Sequence, residues 1–320
     1  MSRERLALAG VLVLFGAGWG LTLPLVKIAV SEGYGPFGLI FWQMVIGAIT
    51  LGLVVHLSGR SLPLGPKPVR LYVIVALLGT LLPNSASYAA AVHLPAGLLS
   101  IVIAMVPIFA FPVALALGID RFSFFRLLGV VAGFIGVCLI MAPEASLPDR
   151  AALAFVPLAM VAPFFYAIEG NVVAKWGTYG ASPVQVLMGA SLLGAVLILP
   201  LAIVSGQFID PRPPWGAPDR ALAASAILHS VVYSGYVWLV GRAGATFAAQ
   251  VSYFVTGFGV IWAMLILGER YSGFVWGALG LMMLGLFLVQ PRHRGARADA
   301  KHAVKVPGLE PERGEDTRSC

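Results

Sequence analysis

The sequence contains few charged residues. Only 11% of its 320 residues are Asp, Glu, Lys or Arg, whereas a soluble globular domain carries roughly 25%. Hydrophobic residues account for 59% of the chain, and its mean hydropathy is +0.91. This composition excludes a soluble globular domain and predicts a membrane protein embedded in a lipid bilayer.

The chain also lacks the residues that common enzyme and cofactor sites need. Its two cysteines, Cys138 and Cys320, exclude a disulfide framework. The sequence has no G-x-x-x-x-G-K-[ST] phosphate loop, no H-E-x-x-H pair and no closely spaced Cys/His cluster. We therefore expect no enzymatic activity, no ATP hydrolysis within this chain, no metal and no cofactor.

Strict alternation of polar and apolar residues, which membrane-barrel strands show, is also missing. The apolar residues instead form ten segments, each close to the ~20 residues with which a helix crosses a ~30 Å hydrocarbon core. These segments cover residues 6–30, 37–57, 71–92, 94–117, 122–142, 151–174, 184–204, 221–240, 244–267 and 272–289. The sequence therefore predicts an all-α membrane protein with ten transmembrane helices.

The basic residues are unevenly distributed between the loops. A pI of about 9.6 would suit nucleic-acid binding. With a cytoplasmic N-terminus, however, the loops and tail on that side carry 16 of the 21 Lys and Arg residues, and the opposite loops carry four. The positive-inside rule then places both termini in the cytoplasm, and we expect no nucleic-acid partner. Residues 291–320, which are basic and poor in apolar residues, are predicted to form a disordered cytoplasmic tail.

An internal repeat divides the chain. Residues 94–141 align with residues 243–290 at an offset near 149, which pairs Asp120 with Glu269 and Gly136 with Gly285. We predict two five-helix repeats, residues 1–143 and 144–290. Because five is odd, the second repeat enters the membrane from the opposite side, so the two repeats are inverted.

Several short motifs occur in a fixed order along these two repeats. They are W-G-x6-K (Trp19, Gly20, Lys27), N-x-x-x-Y (Asn84, Tyr88), L-P-A-G (94–97), L-G-E-R (267–270) and a glycine ladder (Gly277, Gly280, Gly285). In this arrangement the chain resembles the ten-helix, EamA-type branch of the drug/metabolite transporter superfamily over roughly residues 6–290.

The resemblance implies a secondary transporter of small metabolites, often an exporter, in the inner (plasma) membrane of a bacterium. It implies alternating access through a central cavity between the repeats, in a monomer or homodimer. Family members carry amino acids, nucleosides, phosphorylated sugars and drugs, and amino acids or related compounds are our first expectation. Proton coupling, solute exchange and facilitated diffusion stay open. A membrane sensor or scaffold without flux and a lipid-handling protein are the alternative functions.

Glu169 is the only acidic residue within a predicted apolar segment. Ionisable groups at such depth usually face a bundle interior or a wet cavity. We expect its carboxylate to bind a cationic group such as an amine, or to alternate between protonated and ionised forms. The alternative is that the helix ends early and Glu169 pairs with Lys175 near the headgroups. Gly170 and Asn171 are expected to let the helix loosen locally.

Other polar and aromatic residues occur at helical spacings within the segments. We predict that they line the cavity with Glu169 and bind substrate, the alternative being that they bond neighbouring helices. These residues are Trp19, Gln43, Asn84, Tyr88, His229, Tyr233, Tyr236, Gln250 and Tyr253.

Prolines, glycines and one lysine within the segments have predicted structural roles. Lys27 is expected to extend to the outer end of its helix. The other residues are predicted helix kinks at Pro83, Pro107 and Pro112, and close helix contacts at Gly129, Gly133, Gly136, Gly277, Gly280 and Gly285.

Overall fold

The computed structural model describes residues 3–141, 150–243, 245–248 and 250–289. Within these ranges every regular element is helical and no strand occurs. The all-α prediction is confirmed. The predicted tail and the predicted boundary between residues 143 and 144 lie outside the described residues.

Thirteen α-helices follow one another along the described ranges. They are α1 (Arg3–Ala29), α2 (Pro36–Leu57), α3 (Pro66–Ala76), α4 (Leu82–His93), α5 (Ala96–Ile103), α6 (Met105–Ala116), α7 (Phe124–Met141), α8 (Phe155–Trp176), α9 (Pro183–Val204), α10 (Ala217–Ala243), α11 (Ala245–Ala248), α12 (Val251–Leu267) and α13 (Gly273–Val289). A π-helical turn, Leu77–Leu81, joins α3 to α4, and a 3-10 turn, Arg150–Ala154, precedes α8.

Eight helical stretches in the described residues are long and apolar enough to cross a membrane, and two shorter apolar helices follow them. The two shorter ones are α12 and α13. Each of the ten predicted segments corresponds to one of these stretches. We call outer the face that holds the loops after α1, α4, α9 and α12, following the predicted orientation, and inner the opposite face.

Two of the helix interruptions lie near predicted kinks. The π-turn ends two residues before Pro83, and the fourth segment is broken at Ala104, three residues before Pro107. Proline has no amide hydrogen and crowds the preceding turn, so regular helical bonding fails just upstream of it. Helix α6 runs through Pro112.

The most extensive helix contacts join opposite sides of the predicted repeat boundary. Helix α1 packs on α10 and α12, and α8 packs on α4 and α6. Helix α2 packs on α9, and α7 packs on α13. The two predicted repeats are therefore interleaved, while their inverted relation stays a prediction.

Glycines bring α7 and α13 into backbone contact. A Cβ atom on Gly129 would lie 2.7 Å from the Gly285 carbonyl oxygen, and a Cβ on Gly285 would lie 2.7 Å from the Gly129 oxygen. Gly133 and Gly136 are also closely packed, as predicted, but nothing lies within 4 Å of a Cβ on Gly280. The prediction of close helix contact is wrong for Gly280.

Candidate functional site

Three of the predicted site residues form one hydrogen-bonded group. The Asn84 side-chain amide donates to Gln43 Oε1 at 2.9 Å, and the Tyr88 hydroxyl donates to the same oxygen at 2.5 Å. Asn84 and Tyr88 share a face of α4 because they are four residues apart. Gln43 reaches them from α2. The amide oxygen of Gln43 is thus the acceptor that joins these two helices.

Tyr166, which is not among the predicted site residues, extends this group to α8. Its hydroxyl donates to Asn84 Oδ1 at 2.8 Å. Tyr166 precedes Glu169 by three residues, so both lie on one helix face. That spacing could have identified it. We call Gln43, Asn84, Tyr88 and Tyr166 the polar cluster.

The polar cluster should contribute measurably to stability. Gln43→Leu leaves the Asn84 amide and the Tyr88 hydroxyl without their shared acceptor, and buried donors without partners are costly. We expect the free energy of unfolding to fall by about 1–2 kcal/mol, since interhelical hydrogen bonds in membranes average ~0.6 kcal/mol each. Thermal unfolding in detergent measures the change. Thr50→Ala is the control, because among the described residues the Thr50 hydroxyl bonds only its own helix, at Ile46. An equal loss in both variants would contradict the expectation.

Four other predicted residues form an aromatic cluster between α1 and α10. The Trp19 indole N–H donates to His229 Nδ1 at 3.2 Å. The centroid of the Trp19 ring lies 5.2 Å from that of Tyr236 and 6.4 Å from that of Tyr233. Because His229 Nδ1 accepts a hydrogen bond, that nitrogen carries no proton in this arrangement.

The carboxylate of Glu169 faces the interior of the bundle. It lies against Gly79 in the π-turn, where a Cβ atom would be 2.9 Å from Glu169 Cδ. Tyr166 on α8 and Tyr233 on α10 are within electrostatic range of it. Among the described residues, no side chain or amide donates a hydrogen bond to this carboxylate and no cation pairs with it.

The alternative for Glu169, an early helix end and a pair with Lys175 near the headgroups, is wrong. Helix α8 continues to Trp176, so it does not end before Glu169. The Lys175 ammonium donates to the Leu117 carbonyl at 3.1 Å rather than to Glu169. The expected loosening at Asn171 is also wrong, because its side chain is buried and donates to the carbonyls of Ala110 and Ala167.

Among the described residues, no side-chain hydrogen bond or ring contact joins the last two predicted site residues to these groups. Gln250 is exposed and precedes the first turn of α12. The Tyr253 hydroxyl is buried and has no hydrogen-bond partner among the described residues. The structure therefore does not bring this pair together with the polar cluster.

The Glu269 carboxylate caps the outer end of α5. The amide of Ala96 donates to Glu269 Oε1 at 2.8 Å, and that of Gly97 donates to Oε2 at 3.1 Å. These amides begin α5, where unpaired N–H groups and the helix dipole favour an anion. The Tyr271 hydroxyl also donates to Glu269. Burial and this bond raise the pKa of Tyr271 above its usual value, so the hydroxyl keeps its proton at physiological pH.

Lys27 binds the end of α4, which lies next to the start of α5. Its ammonium donates to the carbonyls of Ala91 and Val92 at 2.6 and 3.1 Å, near the end of α4. It reaches the outer end of α1 as predicted, and it is within electrostatic range of Glu269. We call Lys27, Glu269 and Tyr271 the outer clamp, because they fix both sides of the α4–α5 junction.

Loosening the outer clamp should expose the outer end of α5. In a variant without Cys138 and Cys320, we expect a membrane-impermeant thiol reagent to label Ser100→Cys slowly, since Ser100 is buried. Adding Glu269→Gln removes charge-assisted bonds of ~1.5–3 kcal/mol each, so labelling should be about tenfold faster.

The control for this experiment is Asp120→Asn. Asp120 is the repeat partner of Glu269 but pairs with Arg126 rather than with α5. An unchanged labelling rate in Glu269→Gln, or an equal increase in Asp120→Asn, would contradict the role of the clamp.

The described residues contain no group of three or more His, Cys, Asp or Glu side chains that could hold a metal ion. The groups that the structure brings together are polar and aromatic side chains instead. An unpaired carboxylate, a hydrogen-bonded polar cluster and an aromatic cluster lie on helices α1, α2, α4, α8 and α10. Such a mixture of aromatic walls and few polar groups is typical of small-molecule sites.

Comparison with known proteins adds independent information. The pattern described as the EamA-like transporter family matches residues 7–142 and again residues 153–290. One solved structure, described as "Crystal structure of protein", aligns with a TM-score of 0.60 at 17% identity and covers 90% of this chain and 96% of its own. At that identity the similarity concerns the fold alone.

Curated relatives match over nearly their whole length. The "Uncharacterized inner membrane transporter YedA" of Escherichia coli (strain K12) is 24% identical over 297 residues, covering 90% of this chain and 92% of the relative. The "Uncharacterized transporter YoaV" of Bacillus subtilis (strain 168) is 21% identical, covering 84% and 92%. The "Probable terminal-alkyne amino-acid exporter" of Streptantibioticus cattleyicolor is 24% identical, covering 90% and 95%.

Proposed function

The chain belongs to the EamA-like transporter family, and from this premise we propose that it is a secondary transporter that exports small metabolites. It works without enzymatic activity of its own. Alternating access takes place through a central cavity between the two five-helix repeats, residues 1–143 and 144–290. The protein acts in the inner membrane of a bacterium with both termini in the cytoplasm.

The pattern of helix contacts supports two inverted repeats. Exchanging each helix with its counterpart in the other repeat turns the contacts of α1 with α10 and α12 into those of α8 with α4 and α6. The contacts of α2 with α9 and of α7 with α13 map onto themselves. A pseudo-two-fold arrangement predicts this self-consistency, and such repeats give a transporter two related conformations.

The unpaired Glu169 carboxylate is the observation that carries the proposal. A charged group that deep is expensive unless it meets water, an ion or a substrate. It lies beside the polar cluster through Tyr166 and near the aromatic cluster through Tyr233. These three groups together form our proposed substrate site, to which Gln250 and Tyr253 contribute only if α11 and α12 move.

The proposed cargo carries an amine. Amino acids and related compounds fit, because an ammonium group would neutralise Glu169. One relative is described as a probable amino-acid exporter, which agrees with this choice at low identity. Proton coupling would follow if Glu169 exchanges a proton for the cargo. Tyr166 and Tyr233 are the titratable groups that face it.

Flux through the purified protein tests the function. The protein is first screened for thermal stabilisation by a metabolite library, because a ligand that binds only the folded state raises the unfolding temperature. Stabilising compounds are then loaded into proteoliposomes, and we expect efflux at rates well above those of protein-free liposomes. Efflux that accelerates with an imposed proton gradient would identify proton coupling.

The efflux measurement also distinguishes a transporter from the two alternative functions. A sensor or scaffold binds a stabilising metabolite but moves none of it, and its tail captures a partner. A lipid-handling protein instead redistributes a labelled lipid between leaflets. Either result would overturn the transport function, whereas metabolite efflux supports it.

A further inference from the structure

The π-turn in the third predicted span leaves backbone oxygens without their helical partners. The Leu82 amide bonds the Leu77 carbonyl, five residues back. In an α-helix this amide would donate to the carbonyl of Leu78, four residues back. The next donor along the chain would be residue 83, which is a proline and has no N–H. The Leu78 carbonyl therefore has neither its i+4 nor its i+5 donor.

Gly79 loses only its i+4 donor, because its i+5 residue, Asn84, has a backbone N–H. The i+4 residue of Gly79 is Pro83, which is buried within α4. Two successive carbonyls of the π-turn thus lose the amide that an uninterrupted helix provides. Such backbone is tolerated at membrane depth only where it is buried in protein or lines a water-filled cavity. Single π-turns are also frequent at functional sites.

The unpaired carboxylate of Glu169 lies against this same turn. A Cβ atom on Gly79 would be 3.0 and 3.1 Å from the two carboxylate oxygens. Any residue larger than glycine would therefore displace the carboxylate. Helix α8 thus places an anionic acceptor against the π-turn, and no donor from the described residues serves the carboxylate.

A site made only of hydrogen-bond acceptors favours the ligand that has the most N–H donors. A primary ammonium has three N–H donors and no acceptor, so it can donate to both oxygens of a carboxylate and to one carbonyl at once. Each N-methylation removes one donor without changing the charge. A quaternary ammonium has none left and gains mainly from aromatic faces.

We propose that Glu169 and the Leu78 carbonyl of the π-turn form a binding site for the primary ammonium group of the cargo. The proposal rests on the proposed function only in taking the ligand to be cargo. Tyr166 connects this site to the rest of the polar cluster, and Tyr233 of the aromatic cluster lies within electrostatic range of Glu169. Specificity for primary over methylated amines follows from the donor count.

Binding to the purified full chain tests this site without requiring flux. The probes are butylamine and 2-phenylethylamine, each with its N-methyl and N,N,N-trimethyl derivatives, at a pH where all are cations. Isothermal titration measures each Kd. We expect affinity to fall with each methyl group and to be about 10- to 100-fold lower for the trimethyl forms, because charge-assisted hydrogen bonds are lost.

Variants locate the site. Glu169→Gln should weaken primary-amine binding about 30-fold or more. Gly79→Ala keeps the acid but displaces it, and we expect about a tenfold loss. Gly170→Ala is the matched control, because nothing lies within 4 Å of a Cβ at this neighbouring position, so its affinity should equal that of the wild type. Size-exclusion profiles confirm that the variants are folded.

Each outcome bears on the site. Equal or tighter binding of the trimethyl forms would place the cation on the aromatic cluster and overturn the proposal. Failure of the wild type to bind either primary amine, or unchanged affinity in Gly79→Ala, also overturns it. If primary amines bind selectively but no metabolite is transported, this site stands and the proposed function fails. If transport occurs without such selectivity, only the site fails.

Discussion

Replacing Glu169 with glutamine is expected to lower the initial rate of cargo efflux from proteoliposomes about 30-fold or more. Glutamine matches the size of the glutamate side chain that lies against Gly79, but it lacks the negative charge that we propose neutralises the cargo. Truncating one partner of a buried charge pair costs ~2–5 kcal/mol. Efflux at subsaturating cargo, with the amount of protein matched, measures the loss.

Two variants make this result interpretable. Glu169→Asp keeps the charge on a shorter side chain and should retain part of the flux. Glu32→Gln removes an exposed acid in the outer loop after α1 and should leave the flux unchanged. If Glu169→Gln transports its cargo at the wild-type rate, the carboxylate has no part in transport.

The Gly129→Ala variant should show the largest loss of stability. Its new methyl group would meet the Gly285 carbonyl oxygen at 2.7 Å, and a backbone atom cannot move aside as a flexible side chain can. Helices α7 and α13 must therefore separate. Overpacking of this kind costs ~1–3 kcal/mol, which we expect to lower the unfolding temperature by ~5 °C. Thermal unfolding in detergent is the measurement.

The glycine ladder contains its own control. A Cβ on Gly280 meets nothing within 4 Å, so Gly280→Ala should be neutral or stabilising by ~0.4–1 kcal/mol. The Gly129→Ala and Gly285→Ala changes should cost less together than the sum of each, because the first already separates the helices. Equal stability of Gly129→Ala and Gly280→Ala would show that the contact is not tight.

Much of the fold follows from local properties of the chain. The predicted segments 37–57 and 184–204 differ by one residue at the start from α2 and α9. Apolar runs of that length report where the chain crosses a membrane, whatever its partners are. Interruptions were harder to predict. Pro83 predicts that one backbone hydrogen bond of the helix is missing, because proline has no N–H. Whether the helix then kinks or forms a π-turn depends on the helices around it.

The site could be predicted only in part for the same reason. Glu169 could be identified from the sequence because it is the only acidic residue within a predicted apolar segment. Its contact with Gly79, 90 positions away, depends on how α8 packs on the π-turn. Gln43, Asn84 and Tyr88 do lie together. Gln250 was placed with them by its helical spacing to Tyr253, but the chain turns at that point and leaves it exposed.

The repeat alignment was similarly incomplete. It pairs Asp120 with Glu269, but the two acids have different partners. Arg126 follows Asp120 by six residues and pairs with it. The equivalent position in the second repeat is Val275. Glu269 therefore lacks that partner, and the amides at the start of α5 take its place.

The outer clamp consists entirely of groups within the chain. Its bonds do not depend on whether anything occupies the interior. If the clamp faces the exterior, as the predicted orientation has it, an empty carrier should rest closed on that side. In the export function that we propose, this bias would keep expelled compounds from leaking back into the cell.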